Sequence, residues 1–165
     1  MKHSFLYTIL AAGLFAQTAF ATSTITERNI TLEVANKLAA EAIQSCAANN
    51  YNVTVSVVDK SGVVKVVQRM DKAGLHTVEA SKMKAYTALS TQRTSDEVMK
   101  AAQSNLGAQN LVHIPGFLLL GGGVPVKSGD DVIGAIGIGG APSGSLDQQC
   151  AFDAIQKISS ELSQS

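Results

Sequence analysis

The chemistry-bearing residue types crowd into LLLGGGVPVKSGDDVIGAIGIGGAPSG, residues 118–144, where glycines surround a Lys-Ser pair. Such a stretch invites comparison with a phosphate cradle. A Walker A loop needs G-x-x-x-x-G-K-[ST], yet Val126 stands where the second glycine should precede Lys127-Ser128. The segment also reads as a hairpin turn, without the strand-to-helix junction that supplies amides and a helix dipole. The dinucleotide pattern G-x-G-x-x-G fails too, because Gly137-Ile138-Gly139 runs on to Pro142 in place of the last glycine. A stereochemical reading remains. Glycine in a strand lets something approach the backbone closely. Gly137 and Gly139 project to one face, and the occupant of that face is either a packed helix or a flat ligand.

Other reactive groups are sparse. His76 and His113 sit in connecting segments, and Cys46 and Cys150 are far apart in the chain. No zinc-type spacing and no G-x-S-x-G nucleophile elbow occurs. Asp59, Asp71, Glu79 and Asp147 are candidate acid–base groups, but nothing in the pattern brings two of them together.

The elements that would position these groups follow from periodicity. Thr24 to Glu27 fits a capping box, opening a helix to about Asn49 with Ala35, Leu38, Ala42 and Cys46 on one stripe. Val53, Val55 and Val57 alternate with Thr54 and Ser56, and a Lys-Ser-Gly turn leads to Val63–Val67, a β-hairpin. Residues 77–91 form a second helix capped by Thr77, and Thr94-x-x-Glu97 is a capping box for a short third. QSNLGAQNLVHIPG reads as loop and Phe117 to Leu120 as a buried strand. Residues on either side of Lys127-Ser128-Gly129-Asp130 form a second hairpin, returning over Val132 to Ile138. Ser145 caps a last helix with Leu146, Cys150, Ala154, Ile158 and Leu162 on its apolar stripe. Helix, hairpin, helices, hairpin, helix predicts an α/β (α+β) domain, one antiparallel sheet covered by helices.

The chain has 165 residues, enough for one domain with a core of its own. Lys2, the apolar run from Phe5 to Ala16 and Ala19-Phe20-Ala21 make residues 1–21 a secretory signal peptide. Residues 22–165 are then a single periplasmic or secreted domain, without membrane insertion after cleavage. Loss of Lys2 leaves 12 basic against 13 acidic side chains, scattered along the chain. That balance argues against nucleic acid as a partner. In an exported protein the cysteine pair reads as one disulfide, Cys46–Cys150, and two buried thiols are the alternative. The bridge is favoured if the first and last helices lie side by side.

The combination VSVVDKSG, QRMDKAG, KAYTA, TSDE, IPG, GGGVPV and IGAIGIGGAPSG followed by D-x-x-C resembles the GlcG/HbpS family over about residues 26–160. That family includes secreted haem-binding proteins and the C-terminal domain of PduO-type proteins. The resemblance implies a profilin-like or PAS-like central antiparallel sheet flanked by helices, assembly into a homo-oligomer, and a planar tetrapyrrole, haem, as ligand. Haem iron is held by His, Cys, Met or Tyr, which makes His76 the leading candidate ligand and His113 a weaker one. Tyr86, Met70 and Met83 read as packing residues. Thr94 looks like the position of a haem-linked threonine, beside its local reading as an N-cap. Arg69, Lys82 and Lys84 could pair with propionates, although solvated surface charge is their ordinary role. Gly121, Gly122, Gly123, Gly137 and Gly139 would form the backbone wall against which the ligand lies. The reading is an exported haem- or tetrapyrrole-binding protein acting in binding, sequestration or sensing. The alternative is a small-molecule-processing enzyme, or an accessory protein of organic-acid metabolism, using the same cleft.

Overall fold

The computed structural model describes residues 24–163, so the signal peptide expected at 1–21 lies outside the described residues. In chain order the elements are α1 (Leu32–Ala48), β1 (Thr54–Asp59), β2 (Val64–Arg69), α2 (Thr77–Thr91) and α3 (Ser95–Ser104). A 3-10 helix (Leu106–His113), β3 (Gly123–Ser128), β4 (Asp131–Gly139), α4 (Gly144–Lys157) and the short α5 (Ser159–Leu162) follow. The four strands form one antiparallel sheet in the order β2-β1-β4-β3. The two hairpins therefore join through their β1 and β4 arms, which become the central strands.

Because side chains alternate along a strand, the β1–β4 register separates two kinds of surface. Val55 faces Ile138 and Val57 faces Ile136 on one side; Thr54 faces Gly139 and Ser56 faces Gly137 on the other. The branched side is covered by α1 and α4, whose Leu38, Ala42, Ala151 and Ala154 complete the main core. There the structure pairs Cys46 with Cys150, the Cα atoms 5.5 Å apart, so the stripes of the first and last helices do meet. Ser45 adds a hydrogen bond from its hydroxyl to Asp153 (2.7 Å), and Lys157 an ion pair with Glu41 (3.2 Å).

The other side carries α2. Ser56, Gly137 and Gly123 stand in one row across three strands, a trough of small residues into which the helix sinks. A Cβ added at Gly137 would collide with the carbonyl oxygen of Ser81 and lie 2.5 Å from the amide of Ala85. At Gly123 it would strike the carbonyl of Lys84. At both positions the occupant is the helix, and a ligand lying flat on Gly123 or Gly137 is ruled out by that contact. Hydroxyl pairs fasten the same interface: Thr54 to Thr77 at 2.7 Å and Ser56 to Ser81 at 2.8 Å.

Several local expectations are corrected. Residues 24–31 are not helical, since Thr31 caps α1 by accepting from the Val34 amide. Ile30 is buried and its amide donates to the Ile133 carbonyl, while Arg28 donates to the Ser128 hydroxyl (2.7 Å), so this segment is tied to the second hairpin. Thr77 does not cap α2 through an amide; its hydroxyl donates to the Gly74 carbonyl (2.6 Å). Phe117 to Leu120 is not a strand. Its polar backbone is satisfied by local turns and by side chains, with Leu118 donating to the Thr87 hydroxyl (2.9 Å) and Leu120 accepting from Ser95 (2.7 Å). The supposed loop after α3 holds the 3-10 helix, and α4 is capped by Ser143, two residues ahead of Ser145.

Candidate functional site

Gly139 differs from Gly137. A Cβ there would meet only ordinary contacts, 3.6 Å from the Thr77 carbonyl and 3.7 Å from the Ala80 Cβ. Between the two glycines α2 thus lifts away from the sheet, and a cleft of about 630 Å³ opens at its N-terminal end. One wall is the turn from Gly139 to Gly144 that carries β4 into α4. The opposite wall is the start of α2, with His76, Thr77 and Ala80. Tyr51, Lys72 and Leu120 contribute to the margins, and Lys84 and Asp147 also line the space. A second groove of about 490 Å³ adjoins it across Asn50, Tyr51, Asn52 and Lys72.

Each wall has a local cause. Gly140 lies at φ +130° and its Cα passes so close to the Asn52 carbonyl that only glycine fits, which brings the 50–52 corner against the end of β4. The link ahead of α2 is held by Thr77, bonded both to Gly74 and to Thr54. His76 is exposed, and its side chain caps no amide of α2. Its ring lies over Gly74, where a Cβ would be 3.0 Å from Cε1.

Between cleft and core sits an ion pair. Lys84 Nζ donates to Asp147 Oδ2 (2.8 Å) and to the Ile138 carbonyl (2.9 Å), with both side chains 2–3% exposed. Asp147 Oδ1 accepts from the Ala141 amide (2.9 Å). Burial pushes the Asp147 carboxyl above its ordinary range, against the opposing pull of the Lys84 charge and the neighbouring amides. Gly122, at φ +122°, completes the corner, since a Cβ there would lie 2.9 Å from Asp147 Cβ and 3.0 Å from Lys84 Nζ.

The anticipated site residues therefore divide. His76 and Gly139 line the cleft. Gly121, Gly122 and Gly123 form a corner packed against Gly144, the Lys84–Asp147 pair and α2, respectively. Thr94 caps α3, accepting from the Glu97 amide in a complete capping box, and does not line the cleft. His113 ends the 3-10 helix, exposed and away from the cleft. Tyr86 stacks edge-on against Phe117, with centroids 6.1 Å apart. Asp59 is absorbed by its turn, accepting from the Ser61 and Val63 amides. Lys82 remains an exposed charge beside Glu79. Lys84 departs from the ordinary expectation of a solvated lysine. Its burial was signalled by its place on the inner stripe of α2, in step with Thr77, Ser81 and Ala88. Asp147 had a similar signal, one turn ahead of Cys150. Among the described residues no group of three or more His, Cys, Asp or Glu side chains is gathered to hold a metal ion.

Comparison with known proteins agrees with this architecture. The profile of the family described as haem degrading protein HbpS-like matches residues 30–156. An uncharacterised 15.0 kDa protein from the dhaT–dhaS intergenic region of Citrobacter freundii is 37% identical over 114 residues, covering 67% of this chain and 80% of the relative. Protein GlcG of Escherichia coli is 30% identical over 106 residues, 64% of this chain and 78% of that protein. Among solved structures, an HbpS double mutant from Streptomyces reticuli superposes with a TM-score of 0.79 at 34% identity, covering 90% of this chain and 98% of that one. The PduOC–haem complex gives 0.70 at 25% identity, covering 78% and 94%. Sequence and fold converge, and the chain belongs to the GlcG/HbpS family.

Proposed function

We propose that this chain is an exported haem- or tetrapyrrole-binding protein, acting in binding, sequestration or sensing, with the pigment seated in the cleft beside Gly139. The observation that carries the reading is the cleft itself, a space of about 630 Å³ at the end of a glycine-bearing strand with an exposed imidazole on its wall. Volumes of this order suit a small organic ligand or cofactor. The residues fit the group. His76 would offer the iron its ring nitrogen, Ala80, Leu120 and Pro142 supply apolar contact, and Lys72 would meet an acidic edge at the margin. The haem complex of the relative PduOC supports the ligand class. The leader-like residues 1–21 and a long-range disulfide favour a periplasmic or secreted location. Family resemblance favours a homo-oligomer.

Titrating the mature protein with hemin should give a saturable Soret shift, and His76→Ala should change the band position. A featureless sum of the two spectra would remove the reading.

A further inference from the structure

A buried ion pair is weak evidence for stability, because desolvating two charges offsets most of their attraction. Neither residue belongs to the apolar clusters of the core; Lys84 reaches from α2 to Asp147 on α4. The pair stands instead where the sheet gives way to the cleft, and both residues line that space.

An ammonium carries three donors, and among the described residues Lys84 Nζ donates to two acceptors, Asp147 Oδ2 and the Ile138 carbonyl. The third hydrogen remains for a group arriving in the cleft. Asp147 does not quench that capacity. It lies in the first turn of α4, where the helix's positive end and the Ala141 amide offset its charge. Gly122 approaches the pair closely, since a Cβ there would lie 3.0 Å from Nζ. A lysine held this firmly is a positioned donor.

We infer that Lys84 is the polar anchor of the cleft, giving its remaining N–H to a carboxylate oxygen of the bound ligand. The inference deepens the haem reading and rests on it for the identity of the ligand. It assigns the cleft a preference for acid-bearing pigments over the same pigments without free acids.

The test compares hemin with hemin dimethyl ester, whose carboxylates are masked. Wild-type protein should bind hemin about tenfold more tightly than the ester, the scale of one charge-assisted hydrogen bond. The paired variant Lys84→Met with Asp147→Leu, which leaves no lone buried charge, should bring the two affinities within about twofold of each other. Equal wild-type affinities for the two pigments overturn the anchor and leave the haem reading standing. A folded paired variant that keeps the full preference also overturns it, and moves the contact to another cation such as Lys72. A wild-type protein that binds neither pigment overturns both readings. Should the paired variant fail to fold, Lys72→Met decides: a preference for hemin kept in that variant supports Lys84, and a preference lost there overturns the anchor.

Discussion

On one side of the sheet Val55, Val57, Ile136 and Ile138 meet α1 and α4; on the other Thr54, Ser56, Gly137 and Gly139 meet α2. The first side is held by apolar volume and a covalent link between its two helices. The second brings helix backbone down onto sheet backbone and is fastened by hydroxyl pairs. Apolar packing of the first kind tolerates exchange of one branched side chain for another. A trough of glycines does not, since any added atom meets backbone. The same close approach creates the site: α2 touches the sheet at Gly137, stands off at Gly139, and the cleft occupies the wedge.

The largest effect should come from the covalent side. Replacing Cys46 and Cys150 by alanine frees a span of 104 residues and should lower stability by about 4 to 5 kcal/mol on the chain-entropy estimate, read from denaturant midpoints. Next comes the trough. Gly137→Ala should destabilise by about 3 kcal/mol through overpacking against Ser81 and Ala85, whereas Ile136→Val, its neighbour on the branched side, should lose only about 1 kcal/mol. Equal losses at the two positions would erase the distinction between the faces.

Smaller effects sharpen it. Ser56→Ala should cost about 1 kcal/mol, because Ser81 keeps its bond to the Val78 carbonyl. A double-mutant cycle with Ser81→Ala should recover a coupling between the two. Thr94→Ala should also cost about 1 kcal/mol as a lost N-cap, while hemin affinity stays unchanged. A loss of affinity there would mean that the capping threonine touches ligand.

The branched side was legible in the sequence because it follows simple periods. The alternation of Val53, Val55 and Val57 and the stripes through Cys46 and Cys150 gave the hairpin, the helix faces and the bridge. Thr94-x-x-Glu97 gave its capping box directly. The small side was half legible: glycine on a strand announces a close approach, yet does not say whether helix or ligand makes it. Both occur here, two residues apart. Thr24-x-x-Glu27 misled because a capping pattern is local, whereas Ile30 and Arg28 are claimed by the distant second hairpin. Phe117 to Leu120 misled because its apolar run is satisfied by Thr87 and Ser95, partners that only the tertiary fold supplies. Lys84 escaped because its charge outweighed its place on the inner stripe of α2.

Filling the wedge tests whether it is the ligand's seat. Ala80 lies on the cleft wall of α2, and Ala80→Trp should occupy the space without entering the core. Hemin titration of that variant should show affinity lowered by about tenfold or more, a change of at least 1.4 kcal/mol, at an unaltered thermal midpoint. A folded Ala80→Trp protein that binds hemin as tightly as wild type would contradict the account.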